Sequence, residues 1–147
     1  MQSKTLLKKT SCPEPTFKDW LRKGVILPAR PGRGAGNHAE YDDANAVALL
    51  IGVKMKQAAV TVTNYAPAFA ELQMWLRNTS SLEWPQHTVV MTLETASVHS
   101  AKKSFDLIEM AIVVPLAPVC AALLGNVAEP DYYQHSLLGL QAVRRAK

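Results

Sequence analysis

Little in the 147-residue sequence announces catalysis. There are four histidines, His38, His87, His99 and His135; they are scattered, with no HExxH and no His and Cys at metal-ligand spacing. Only two cysteines occur, Cys12 and Cys120. Their separation excludes a disulfide framework and a CxxC metal or redox motif, and each reads as a small hydrophobe in or near a core. The opening MQSKTLLKK is polar and basic rather than a secretory leader, so a cytoplasmic location is expected. The most apolar run, Met110–Leu124, has 15 residues and carries Pro115 and Pro118. A membrane-spanning helix needs about 20 apolar residues, so this run reads as buried core and no membrane partner is expected.

What is present suits a small globular protein. With 48% hydrophobic and 19% charged residues, the chain can bury a core as one domain or as two very small ones. The net charge of +4 hides an asymmetry: residues 1–34 hold eight Lys and Arg against Glu14 and Asp19, whereas the remainder holds eight basic and ten acidic residues. Positive charge gathered at one end of an otherwise mildly acidic chain is the footprint expected of a polyanion partner, most simply nucleic acid.

Periodicity divides the chain. SKTLLKKT predicts a short helix interrupted by SCPEP; Pro15 suits the first turn of a second helix and Glu14 its positive dipole end. Phe17, Trp20 and Leu21 fall on one face of that helix, which stops at Gly24. VILPAR and NHAEY read as two strands joined by a tip with Gly32, Gly34 and Gly36, a β-ribbon of about a dozen residues. Asp42 or Asp43 is the expected N-cap of ANAVALLIGVKMKQ, with a core stripe of Val47, Leu50 and Ile51 and the stem of Lys54. APAFAELQMWLRN follows as a helix with a core stripe of Phe69, Leu72, Trp75 and Leu76. Residues 79–86 read as a linker. Beyond them TVVMTLE and LIEMAIVV predict strands, TASVHSAKKSFD a polar connection or short helix, LAPVCAALLG a helix and YYQHSLLGLQAVRRAK a last helix.

The glycine-rich segment PGRGAGNHAEYDD, residues 31–43, is not a nucleotide loop. No Gly-Lys-Ser/Thr follows it, and Asn37 stands where the dinucleotide fingerprint needs a glycine opening a helix. No cofactor, no metal and no enzymatic activity are expected. Two short helices joined by a turn can instead lay the second in a DNA major groove, where Thr16, Lys18 and Arg22 reach bases or phosphates. A following hairpin tipped by Arg33 and supported by Arg30 reaches backbone phosphate or a minor groove. His38 lies beside that tip.

In order and spacing, PTFKDWLRKGVILPARPGRGAGNHAEYDDANAVALLIG resembles the DNA-binding domain of MerR-type transcriptional regulators. The resemblance spans about residues 3–78. It implies a winged helix-turn-helix with a recognition helix at about 14–23 carrying Thr16, Lys18, Arg22 and Lys23, Lys18 standing where the family usually has arginine. It implies a wing at about 25–41, in which Arg30 and Arg33 contact DNA backbone and Tyr41 anchors the return strand or touches phosphate. Two departures stand out. Ala39 occupies a position where the family often has arginine, leaving that contact to Arg33 or His38. No sustained heptad follows, so the family's coiled-coil dimerisation and its metal or drug sensing do not transfer.

The expected fold is therefore mainly α with a β-hairpin wing at residues 1–78, a linker at 79–86, and a small mixed α/β region at 87–147 serving dimerisation, an effector or another protein. The expected function is transcriptional regulation through duplex DNA as a homodimer. The alternative is a protein-interaction or assembly module with the same fold and only non-specific nucleic-acid binding.

Overall fold

A computed structural model of the chain describes residues 1–102 and 110–124. They form a mixed α/β structure of five helices and one three-stranded antiparallel sheet. The first pair is α1, Ser3–Thr10, and α2, Glu14–Arg22. Pro15 sits in the first turn of α2, where its missing N–H breaks no helical bond. Phe17 and Trp20 point inward, and Gly24, at φ +76°, lets the chain leave the helix. The N-terminal register therefore falls within a residue of that expected from the sequence.

The centre of the molecule is α3, Asp43–Gln57. Asp42 caps it: its carboxylate accepts from the Asn45 amide at 2.9 Å, and the Asn45 side chain accepts from the Asp42 amide at 3.2 Å. Every residue from Ala44 to Val53 is buried. The stripe of Val47, Leu50 and Ile51 is thus part of a helix covered on all sides, since α1, α4, Ala66–Asn78, and α5, Leu116–Leu124, all pack on it. Gly52 is needed for this: a Cβ there would lie 2.7 Å from the buried ring of Trp20, inside van der Waals contact. On α4, Phe69, Leu72 and Leu76 are buried, while Trp75 is half-buried with its ring edge-on to His87 at 5.0 Å.

In the sheet, β1, His87–Met91, lies between β2, Ala96–Ser100, and β3, Ile112–Pro115. Its register pairs Val89 with Val98 on one side and Val114 on the other. Residues 96–100, expected as a polar connection or short helix, are therefore a strand. Ala and Ser have little strand propensity of their own; pairing along the whole of β1 and a bond from the Ala96 amide to the Glu71 carboxylate at 2.7 Å override it. Trp84 and Pro85, inside the expected linker, are buried, and Trp84 Nε1 donates to the Thr79 carbonyl at 3.0 Å. One core runs from Leu6 to Cys120 across that boundary. The last helix expected from the sequence lies outside the described residues. Among the described residues no helix is long and apolar enough to cross a membrane.

The expected two-stranded ribbon at residues 25–41 is reduced to a single antiparallel bridge, in which Arg30 and Glu40 exchange backbone bonds of 3.2 and 2.9 Å. The next bonded pair would join Pro28 to Asp42, but Pro28 lacks the donor and the Asp42 amide is spent on the Asn45 side chain at 3.2 Å. The Tyr41 amide, which points out of the ribbon, donates to the Met1 carbonyl at 2.9 Å. What remains is a loop with pinned roots.

Candidate nucleic-acid interface

Because Phe17 and Trp20 bury one side of α2, the side chains between them stand outward. Lys18, Arg22 and Lys23 are exposed and Thr16 is half-buried. Each cation already faces an acid on the same helix. Lys18 meets Glu14 at 2.9 Å; Arg22 and Lys23 both meet Asp19, at 2.6 and 3.3 Å. The Lys18 hydrogen bond holds the Glu14 carboxyl below its ordinary value, and the Arg22 hydrogen bond does the same for Asp19. Exposed pairs of this kind are weakly held and screened by salt, so a phosphate can replace either carboxylate. The Thr16 hydroxyl accepts from Lys56 at 2.9 Å. Lys56 belongs with Thr61 and Thr63 to a groove of about 470 Å³ along α2 that also includes Thr16, Asp19 and Lys23.

The loop supplies the second group of charges. Arg30 reaches Glu40 at 3.5 Å across the bridge. Beyond it, residues 31–38 are all exposed. Gly34 and Gly36 take φ +73° and +85°, which an L side chain would strain against, and the Asn37 amide closes the turn onto the Gly34 carbonyl. The loop is narrow as well: a Cβ on Gly32 would meet the Asn37 carbonyl at 2.7 Å. Arg33 and His38 stand on this tip and meet no charged or hydrogen-bonding side chain among the described residues.

Of the two roles expected of Tyr41, anchoring the return strand or touching phosphate, its placement fits the first. It is only 6% exposed, with its ring edge-on to Phe17 at 5.4 Å, and burial raises its hydroxyl's pKa. Its backbone exchanges two hydrogen bonds with Met1, at 2.6 and 2.9 Å. It therefore anchors the returning arm of the loop, and through Phe17 it ties that arm to α2.

The outgoing arm is held by polar side chains that sequence reasoning missed. Gln73 and Asn45 are fully buried. Gln73 Nε2 donates to the carbonyls of Val25 at 2.8 Å and Phe69 at 2.9 Å; its Oε1 accepts from the Leu27 amide at 3.0 Å and from Asn45 Nδ2 at 2.8 Å. Asn45 Nδ2 also donates to the Leu27 carbonyl at 2.7 Å. At the edge of this network Arg77 bonds the Leu27 carbonyl at 2.7 Å and the Asp42 carboxylate at 2.8 Å. Burial alone would raise the Asp42 carboxyl; the Arg77 bond, the Asn45 amide and the Arg77 charge together bring it below its ordinary value. The signal for Asn45 and Gln73 was a lone amide inside each apolar helical run. Lys56, Thr61 and Thr63 gave no signal, since only folding brings them beside α2.

Of the eight residues singled out from the sequence, Thr16 and Lys23 line the groove beside Lys56 and Lys18 and Arg22 a second flank of α2, with Asp19 between them; Arg30, Arg33 and His38 lie on the loop, and Tyr41 is internal. Both thiols are also internal: burial pushes Cys12 up to about 11, against a smaller opposing pull from Lys56, and Cys120 up to about 12. No protein-family model matches the chain, and no curated protein matches it.

Proposed function

We propose that the protein is a cytoplasmic DNA-binding transcriptional regulator with a winged helix-turn-helix of the MerR type, α2 serving as recognition helix and the loop at 28–41 as wing. One observation carries the reading: Arg33 and His38 stand without a side-chain partner on a glycine-rich tip whose returning arm is tied, through Tyr41 and Phe17, to the helix bearing Thr16, Lys18, Arg22 and Lys23. Cationic tips position a protein on phosphate, and an exposed helix face of mixed polar residues reads base edges. Lys56, Thr61 and Thr63 extend the same face. A homodimer on two half-sites is the natural working form, because one such module covers little DNA.

Titration of labelled duplex tests this. Arg33→Ala weakens binding to every sequence and flattens the salt dependence by about 1 in log–log slope, whereas Thr16→Ala and Lys18→Ala alter which sequences are preferred. The opposite assignment of effects would mean that helix and wing have been exchanged. A second reading, an assembly module that holds nucleic acid without sequence preference, is favoured by one feature: the carboxylates of Glu14 and Asp19 already neutralise the cations of α2. Equal affinity for selected and random duplex would establish it.

A further inference from the structure

The loop leaves the body at Leu27 and returns at Asp42, and two side chains touch both ends, Asn45 in the core and Arg77 at the edge. Arg77 Nη2 donates to the Leu27 carbonyl at 2.7 Å, while Nε donates to Asp42 Oδ2 at 2.8 Å and Nη2 reaches Oδ1 at 3.4 Å. The fork is anchored on α4, outside both arms, and α4 also holds β2 through Glu71 and the Ala96 amide. A planar guanidinium fixes two acceptors at a set separation, which a lysine ammonium cannot do. Inside the fork, Gln73 fastens the outgoing root alone, whereas buried Asn45 also spans the two, donating from Nδ2 to the Leu27 carbonyl at 2.7 Å and accepting at Oδ1 from the Asp42 amide at 3.2 Å; Arg77 is the second, outer bridge and the charged one.

From this geometry we infer that Arg77 is a positioning residue for the polyanion-binding face: above the buried Asn45 bridge, it completes the setting of the two loop roots and thereby where Arg33 is presented relative to α2. Arg77 touches no ligand itself. The inference rests on the reading of the loop as a phosphate-contacting wing and adds to it the residue that aims the wing. Since α4 carries the clamp and also contacts the sheet, a change at the sheet has a mechanical route to the wing through this helix.

A double-mutant cycle on the full chain tests the claim, with affinity for a fluorescein-labelled duplex of random sequence measured over a series of salt concentrations. Arg33→Ala lowers affinity and flattens the salt slope by about 1. Arg77→Ala, which leaves Arg33 in place, produces a comparable loss and flattening, and the double variant is no worse than either single one. Arg77→Lys keeps the charge beside Asp42 and keeps the melting temperature near that of the parent, yet shows the flattened slope, because one ammonium cannot span both roots. A purely structural Arg77 would instead lower thermal stability and leave the slope of the folded protein unchanged; that result, or losses that multiply in the double variant, overturns the inference. If Arg33→Ala leaves affinity and slope unchanged, the wing reading itself falls. The clamp is then judged on the free protein: the Arg30 and Glu40 amides exchange faster in Arg77→Lys while those of Ala48 to Leu50 do not, and unchanged exchange at the bridge refutes it.

Discussion

Replacing Gln73 by leucine sets a hydrophobic gain against stranded polar groups, and the structure decides the sign. The side chain is fully buried and makes four hydrogen bonds between 2.8 and 3.0 Å. Two of its partners survive the change: Phe69 lies within a helical ladder, and Asn45 Nδ2 keeps the Leu27 carbonyl. The Leu27 amide and the Val25 carbonyl lose the side-chain partner that holds them. A buried polar group left unsatisfied costs about 1–3 kcal/mol, so the two together cost roughly 2–6 kcal/mol. Leucine of similar volume returns about 1.5–3 kcal/mol of apolar burial. The expected net loss is about 2 kcal/mol, a large fraction of the roughly 5–15 kcal/mol of a typical domain. Urea unfolding followed by tryptophan fluorescence measures it, since Trp20 and Trp84 are each only 4% exposed. Unchanged or raised stability would show that water reaches the network or that the segment 25–27 moves without penalty, and would refute the assignment of Gln73 as the support of the loop root.

Other parts of the structure give separate tests. In Gly52→Ala, helix propensity favours alanine by about 1 kcal/mol, but overpacking against the Trp20 ring costs about 1–3 kcal/mol; a lowered melting temperature is expected, and a raised one would mean the ring yields freely. The Asp42 carboxyl is held below its unfolded value, so its contribution is present above pH of about 4 and is lost as pH falls through the folded value; acid unfolding of Arg77→Lys, compared with Arg77→Ala, retains more of this pH dependence. Cys12 and Cys120, with thiols raised by burial, react slowly with a disulfide reagent at pH 8 until the chain is unfolded; prompt labelling of the native protein would contradict their placement.

The parts that were legible in the sequence are those set by local rules. Pro15 and Gly24 bracket α2, Asp42 starts α3, and the Phe69–Leu72–Leu76 period gives α4, because caps and helical spacing act within a few residues. The errors lie where a distant partner decides. Residues 96–100 are a strand only because β1 lies beside them. For Tyr41 the sequence allows both an anchor of the return strand and a phosphate contact, since nothing in NHAEYDD reveals that Phe17 covers its ring. The exposed members of the candidate face followed from the charge count and the glycines. Their supports did not: Gln73 and Arg77 lie more than 40 residues beyond the segment they hold, a separation to which no local pattern is sensitive.

The central claim is that α2 and the wing read duplex DNA. Selection from a pool of random duplexes, followed by titration of the winning and random sequences over a range of salt, tests it most directly. The expected result is enrichment of one motif in two related half-sites, affinity well above that for random duplex and a steep salt dependence that Arg33→Ala flattens. A pool that shows no enrichment, with selected and random duplex bound alike or not at all, contradicts it.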